Sequence, residues 1–364
     1  MTVGLALLAY AAIVSAAGPL ARHTDGSLVR APRLQALLLL AASWSVLTAL
    51  ILAGLTVAMP GTALSGGLSD LLGACILRVR AAYATPGGAA AAGAGLTMSG
   101  AIALRVAWAL LAVSRARRAE GRRQRIVLAL CGRRASELDV TVLDHPQPAA
   151  YCLPGRARTV VLTTGTLTLL TRQQVAAVLA HEHAHLQARH HRLLGWAALV
   201  SRVLPELPLT RDLPRRVRSL LEMHADDLAA RHHDPRTLAT ALVAVATARS
   251  GAASAQEPSS VLGAAGRDTA LRVRRLLEPP VALSARRRRV FQTGVAAFGA
   301  VPLLLALTPA AVAASQPPIK RTAEFAVVRQ VAVAPLNSFA PPPRSMAKAH
   351  QVAVPAPQPR VGHQ

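Results

Sequence analysis

The chain has 364 residues, of which 52% are hydrophobic and only 3% are aromatic, and its formal net charge is +24. This length accommodates one soluble domain together with several membrane-spanning helices. The charge is compatible with nucleic-acid binding, or with a membrane protein that keeps its arginines on the cytoplasmic side. The positions of the arginines therefore decide between these two classes.

Four apolar stretches are long enough to cross a bilayer, which requires about 20 helical residues. We predict transmembrane helices at about 3–21, 34–59, 89–113 and 290–314. The first stretch lacks the basic segment that begins a signal peptide, so we interpret it as a retained span. Arg105 lies inside the third stretch, where it could extend to the lipid headgroups or pair with a partner inside the helix bundle.

The dense arginine clusters all fall on one side of this predicted membrane region. They comprise Arg22, Arg30 and Arg33, six arginines within 115–125, and Arg286–Arg289. By the positive-inside rule, the segment between the third and fourth spans is cytoplasmic, whereas the N-terminus and the C-terminal tail are outside. This distribution accounts for the charge and leaves direct nucleic-acid binding as the poorer explanation.

The sequence therefore predicts four regions. Residues 1–114 form a membrane region with three transmembrane helices, and residues 115–289 form a cytoplasmic domain. The fourth transmembrane helix follows at 290–314. Residues 315–364 are rich in proline and predict a disordered extracytoplasmic tail, because such a composition cannot pack a core.

The cytoplasmic domain begins with β-forming sequence and becomes helical. "AAYCL" and "TVVLTT" flank the pair Pro154–Gly155, which predicts a β-hairpin. Thr171 and Gln174 have the spacing of a capping box, so a helix should begin near Arg172. We expect this helix to continue to about Leu194, because no Gly or Pro interrupts it before that residue.

The predicted helix contains the pattern H-E-x-x-H at His181, Glu182 and His185. Residues four apart lie on one face of a helix, so both imidazoles could bind one Zn²⁺ ion. The ion would lower the pKa of a water molecule to about 7, and Glu182 would act as the general base. These residues predict a catalytic zinc site.

Two residues compete for the position of third ligand. His191 has the spacing of the metzincin pattern, but that pattern requires a glycine where this chain has Ala188, and a continuous helix would turn His191 away from the metal. Glu222 would instead complete a set of two histidines and one glutamate, with Asp226 supporting a ligand histidine. The alternative for Glu222 and Asp226 is a solvated acidic face of a helix.

The remaining histidines and the sheet carry further expectations. His183, His190 and His191 should point away from the metal, and His224, His232 and His233 should be surface or capping residues. Zinc peptidases commonly hold the substrate backbone along a sheet edge. The candidate edge strand consists of Thr159, Val160, Val161, Leu162 and Thr163.

The combination of "PGRARTVVLTTGTLTLLTRQQVAAVLAHEHAHLQARHHRLL" with "LEMHADDLAARH" resembles the BlaR/MecR-type integral membrane zinc metallopeptidases. The resemblance implies an α-helical membrane protein of the bacterial plasma membrane with four transmembrane helices and a cytoplasmic α+β, zincin-like (gluzincin) protease domain. It implies one Zn²⁺ ion held by His181, His185 and Glu222, with Glu182 as base and Asp226 in support. The expected substrate is a cytoplasmic protein, by resemblance a helix-turn-helix transcriptional repressor in signal transduction.

Two alternatives remain open. HtpX-type quality-control proteases share both motifs but usually place membrane spans between them, whereas here the intervening run "LLGWAALVSRVLPELPL" is too short to cross a bilayer. Because the proline-rich residues 315–364 are the ones that follow the predicted fourth span, we do not expect the penicillin-binding sensor domain of the β-lactam receptors. A membrane adaptor that uses zinc only to stabilise its fold is the second alternative.

Overall fold

The computed structural model describes residues 2–20, 31–58, 87–153, 159–253, 259–278 and 283–315. The predicted tail and the Pro154–Gly155 turn lie outside the described residues. The helices are α1 (Thr2–Leu20), α2 (Pro32–Ala58), α3 (Gly88–Cys131), α4 (Thr164–Leu169), α5 (Arg172–Gln187), α6 (His190–Val203), α7 (Pro208–Arg211), α8 (Leu213–Ala229), α9 (Pro235–Ala253), α10 (Ser259–Leu277) and α11 (Ala285–Ser315). The strands are β1 (Gly132–Ala135), β2 (Val140–Leu143), β3 (Ala150–Leu153) and β4 (Thr159–Thr163).

Within the described residues, three helices are long and apolar enough to cross a membrane, over Pro32–Val57, Gly88–Cys131 and Ala285–Leu307. They correspond to the second, third and fourth predicted spans. The first predicted span also forms a helix, but its apolar part, Val3–Gly18, is shorter. Four spans therefore stay a prediction, whereas the helical character of all four stretches is confirmed.

Helix α2 packs against α1, α3 and α11. Close packing with α3 depends on Gly54, because a Cβ atom there would lie 2.7 Å from the carbonyl oxygen of Gly95. Small residues let helix backbones approach in this way in membrane bundles. The Ser99 hydroxyl adds a hydrogen bond to the Ile51 carbonyl oxygen across the same interface, at 3.1 Å.

The four strands form one sheet in the order β1-β2-β4-β3. Strand β4 pairs in parallel with β2 and antiparallel with β3, so the predicted hairpin between β3 and β4 is confirmed. Four of the five β4 residues are buried, which is typical of a central strand. The prediction that Thr159–Thr163 is the edge strand is therefore wrong, because pairing fills both of its sides; β3 lies at that end of the sheet.

Helix α5 begins at Arg172, as predicted, behind a complete capping box between Thr171 and Gln174. It ends at Gln187 rather than near Leu194. Arg189 adopts a left-handed conformation, with φ of 53°, and a new helix, α6, starts at His190. No Gly or Pro marks this break, so the expectation of one continuous helix is wrong.

Helix α8 connects the metal-site motifs with the membrane helices. Its first half buries Leu213, Val217 and Leu220 in a core that includes residues of α1, α2 and α6. Its second half packs against α5 and carries Glu222 and Asp226. The fold therefore presents these two carboxylates to the H-E-x-x-H helix from an element that is itself packed on α2.

Candidate metal centre

His181 and His185 lie one turn apart on α5, and Glu222 approaches them from α8. The Nε2 atoms of the two histidines are 3.1 Å apart. Glu222 Oε2 lies 3.3 Å from His181 Nε2, and Glu222 Oε1 lies 3.7 Å from His185 Nε2. The structure thus brings together the three residues that the sequence suggested as ligands.

The size and chemistry of this triangle fit a zinc ion. Ligands bound about 2.0–2.1 Å from a tetrahedral ion are separated from one another by about 3.4 Å, and the three measured separations lie close to that distance. Two imidazole nitrogens and one carboxylate oxygen also form a typical ligand set for catalytic zinc. These three residues could therefore hold the ion without a change in the fold.

Asp226 supports His181 from behind. Its Oδ1 atom lies 2.9 Å from His181 Nδ1, although the ring N–H is not aimed squarely at that oxygen. Asp226 is only 1% exposed, and the Arg272 guanidinium donates two hydrogen bonds to its carboxylate, at 2.7 and 2.8 Å. Arg272 also lies 3.3 Å from Glu222 Oε2. One partly buried arginine on α10 thus contacts both carboxylates of α8.

His185 is supported by imidazoles instead. Its Nδ1 atom lies 2.9 Å from His190 Nδ1, and His190 Nε2 lies 2.9 Å from His224 Nδ1. His190 is 1% exposed. The expectations that His190 points away and that His224 is a surface or capping residue are therefore wrong, because the break at Arg189 turns His190 back toward the site.

A ligand role for His185 would determine the hydrogen-bond directions along this chain. A ligand nitrogen must offer its lone pair, so if Nε2 of His185 bound an ion, its Nδ1 would carry the proton and donate to His190. His190 would then donate from Nε2 to His224 Nδ1. Burial, followed by the neighbouring histidines, lowers the pKa of His190 to about 3, so it is neutral and able to accept this bond.

Burial has the same effect on His224, and with the nearby Arg33 and Arg231 it lowers the pKa of this histidine to about 4. His181 differs. Burial opposes its charge, but the adjacent carboxylates of Asp226 and Glu222 outweigh burial and raise its pKa to about 9. In the metal-free protein His181 therefore carries a proton that a metal ion must displace.

Glu182 and Cys152 lie together beside the ligand triangle. Burial, followed by the charge of the nearby Glu182, raises the pKa of the Cys152 thiol to about 12. Cys152 belongs to β3, the strand at the end of the sheet. The predicted base therefore lies close to β3, a strand at the end of the sheet.

Among the other histidines, His183 hydrogen-bonds the Leu179 carbonyl oxygen through Nδ1, at 2.8 Å, and is turned away from the ligands. The carbonyl oxygen of His191 accepts a hydrogen bond from Arg117, at 2.6 Å. In the described part of the chain, neither residue belongs to the ligand triangle.

Comparison with known proteins bears on the first part of this site. Residues 117–204 match peptidase family M48. The match includes the sheet, α5 and α6, and it supports a metallopeptidase of the M48 type, a class that is typically zinc-dependent. It ends before Glu222 and Asp226. Neither the curated proteins nor the solved structures contain a significant match to the chain.

Three supporting residues were missed in the sequence. Arg272 lies 46 residues after Asp226 in a segment with many arginines, so no local pattern distinguishes it. Cys152 forms no paired motif that would draw attention to it. His190 could have been found, because it follows His185 by five residues, but only if the helix break at Arg189 had been recognised.

Proposed function

We propose that this protein is an integral membrane zinc endopeptidase that cleaves a cytoplasmic protein. The observation that carries the proposal is the triangle of His181, His185 and Glu222, whose dimensions suit one zinc ion, with Glu182 beside it. The M48 match supports the peptidase chemistry, and the three long apolar helices support the membrane location. The arginine distribution supports a cytoplasmic position for the site.

Bound zinc would polarise the attacking water and the scissile carbonyl group. Glu182 accepts a proton from the water at its carboxylate and later delivers it to the leaving amine. Asp226 holds His181 in orientation, and His190 does the same for His185. Arg272 keeps Asp226 ionised, because its hydrogen bonds outweigh burial and lower the pKa of that carboxyl group.

The substrate backbone would lie along β3. The position of Cys152 on this strand, next to Glu182, supports that placement, because a peptide added there would pass close to the base. Main-chain hydrogen bonds along the edge would align the peptide, and its side chains would determine specificity.

The narrower proposal is that the substrate is a helix-turn-helix repressor and that the protein acts in signalling at the bacterial plasma membrane. It rests on the resemblance to the BlaR/MecR type. An HtpX-type quality-control protease is the second candidate. This second candidate is supported by the M48 match and by the packing of α6 and α8 against the apolar helices.

Replacement of Glu182 tests the mechanism. Glu182→Gln should bind zinc stoichiometrically but lose cleavage, by about three orders of magnitude or more, because the base is removed while the ligands remain. Glu137→Gln, which changes an exposed glutamate between β1 and β2, is the matched control and should keep full activity. Unimpaired proteolysis by Glu182→Gln would refute the assigned mechanism.

Comparative proteomics of cells carrying the wild-type or the Glu182→Gln chain separates the candidate functions. Accumulation of one DNA-binding repressor in the variant would support signalling. Accumulation of many membrane and cytoplasmic proteins would support quality control. A purified chain that binds zinc but cleaves no member of a peptide library would favour the adaptor.

A further inference from the structure

The segment between the two metal-site motifs packs beside α3 in an antiparallel arrangement. Arg117 of α3 reaches the carbonyl oxygen of His191, at the start of α6. Nine residues earlier on α3, the Trp108 ring lies 4.8 Å from the Arg202 guanidinium, near the end of α6. Arg117 and Trp108 thus contact opposite ends of α6, which shows that the two helices run side by side.

The connection after α6 continues in the same direction. Glu206 pairs with Arg105 at 3.2 Å, although Arg105 lies within the apolar run of α3. The distance from Arg117 to Arg105 along α3 is about 18 Å at 1.5 Å per residue. The tip of the segment therefore lies about 18 Å from its base along a helix that is long and apolar enough to cross a membrane.

The amino-acid composition of this segment is suited to the hydrocarbon core of a bilayer. From Leu193 to Thr210 the only charged residues are Arg202 and Glu206. Each has a partner on α3, Trp108 and Arg105 respectively. Ionisable groups within a bilayer are usually paired in this way.

The short helix α1 ends on this segment. Its apolar part, Val3–Gly18, is about 24 Å long, which is less than the hydrocarbon thickness of about 30 Å. A Cβ atom at Gly18 would lie only 3.0 Å from Leu209 Cα, so α7 lies directly against the end of α1. Leu204 and Leu209 belong to the same buried core as residues of α1 and α2. The segment thus packs against the end of α1 and occupies the part of the helix bundle that α1 does not reach.

The outer face of α6 and the neighbouring face of α3 expose apolar side chains at the same level. Trp196 is 47% exposed, and on α3 Trp108 and Leu111 are 55% and 54% exposed. The Trp196 ring also contacts Trp44 of α2, with ring centroids 5.4 Å apart. Since α3 continues past this level as a candidate span, lipid that covers Leu111 would cover Trp196 as well.

We propose that residues 190–211 form a re-entrant hairpin that enters the bilayer from the cytoplasmic side, with the outer face of α6 in contact with lipid acyl chains. The proposal rests on the membrane orientation given under the proposed function. Because His190, the first residue of the hairpin, contacts His185, the metal site lies at the membrane surface. The peptidase would therefore act on polypeptide segments held close to that surface.

Tryptophan fluorescence tests the hairpin in the full-length protein reconstituted into phosphatidylcholine vesicles. The double variant Trp44→Phe/Trp108→Phe keeps only Trp196, and Trp44→Phe/Trp196→Phe keeps only Trp108 on α3. A variant with all three tryptophans replaced by Phe and with Val243→Trp places the probe on α9, where Val243 is 46% exposed. This last variant is the matched control, because its native side chain is as exposed as Trp196 but belongs to the predicted cytoplasmic domain.

The deciding quantity is the ratio of quenching by lipids brominated in the acyl chain to quenching by aqueous iodide. We expect Trp196 to have a ratio close to that of Trp108 and at least several-fold above that of the Val243→Trp probe. A ratio for Trp196 within error of the Val243→Trp value would overturn the hairpin. Retained zinc stoichiometry confirms that each variant is folded. Because the test requires no cleavage, its failure alongside normal peptidase activity would remove the hairpin and leave the proposed peptidase intact.

Discussion

The two candidate ligand histidines are supported by chemically different groups. Behind His181 stands a carboxylate, Asp226, which is itself held by Arg272. Behind His185 stands a neutral imidazole, His190, followed by a second one, His224. A carboxylate partner adds negative charge and makes the ligand more basic, whereas an imidazole partner mainly orients the ring. The two sides of the site should therefore respond differently to substitution.

The comparison also shows how the ligand helix is connected to the rest of the fold. The carboxylate side links α5 and α8 to α10, through a bidentate pair buried from solvent. The imidazole side links α5 to the start of α6, which packs against α2 and α3. The carboxylate side thus pairs opposite charges, whereas the imidazole side connects the ligand helix to the long apolar helices.

Replacing Asp226 should have the largest effect. Asp226→Asn removes the bidentate partner of Arg272 and leaves the guanidinium only its contact with Glu222. Breaking a buried ion pair typically costs about 3–5 kcal/mol of stability. The substitution also removes the anion behind His181, which should weaken zinc binding by about 10- to 100-fold. Thermal unfolding and competition with a chromophoric zinc chelator measure the two losses.

Asp227→Asn is the matched control for this substitution. Asp227 is the next residue of α8 and pairs with Arg275, away from the ligands, at 2.8 Å. Its replacement should leave the zinc dissociation constant unchanged. Equal losses of zinc affinity in the two variants would show that Asp226 does not act through His181.

Between pH 7 and pH 9, the pH dependence of the stability of the metal-free protein should report mainly the carboxylate side. The pKa of His181 is raised from 6.5 to about 9, so its stabilising contribution is fully present below pH 6.5 and is lost as the pH rises through 9. The contribution is on the order of 3 kcal/mol. Thermal unfolding of chelator-treated protein between pH 7 and pH 9 should show the decline, and Asp226→Asn should flatten it. A flat profile in the unsubstituted chain would contradict the raised pKa.

The imidazole side should be more tolerant. His190→Ala removes the acceptor for the Nδ1 proton of His185, so zinc affinity should fall by about 10-fold, at the lower end of the range for supporting residues. The unfolding temperature should fall less than in Asp226→Asn, because no buried charge is left unpaired. His232→Ala, at an exposed histidine, provides the control. A loss as large as that of Asp226→Asn would remove the distinction between the two sides.

His224 should have the smallest effect. It contacts His190 rather than a ligand, so His224→Ala should weaken zinc binding only a few-fold. Combined with His190→Ala, it should add little, because the chain is already broken one step closer to the metal. Titrations of the single and double variants measure this coupling, and strictly additive losses would contradict a linear chain.

Part of this architecture follows from short-range pattern. The capping box at Thr171 and Gln174 placed the start of α5 correctly, because its hydrogen bonds form between residues three apart. The same helical spacing puts His181 above His185. The hairpin of β3 and β4 followed from β-forming runs on either side of a Pro-Gly turn. In each case the interaction that determines the structure is local.

The sequence-based predictions were wrong where the structure depends on residues distant in the chain, or on a backbone conformation that the residue type does not indicate. Nothing in the sequence of β4 indicates that β2 pairs along its second side, so the sequence predicts an edge strand where the structure has an internal one. Arg189 adopts a positive φ without being Gly or Asn, and this unmarked turn moved His190 into the site. Such a conformation persists only where surrounding structure holds it.

The sequence by itself determined that one helix carries two histidines and a glutamate in an order suited to zinc, since that order depends only on helical periodicity. It also determined where long apolar helices form, since hydrophobic length suffices for that. Only the tertiary structure decided that Glu222 meets the histidines, that Arg272 holds Asp226, and that α6 lies along α3. These contacts join elements dozens of residues apart, and they depend on how α8 and α10 pack, which no local pattern encodes.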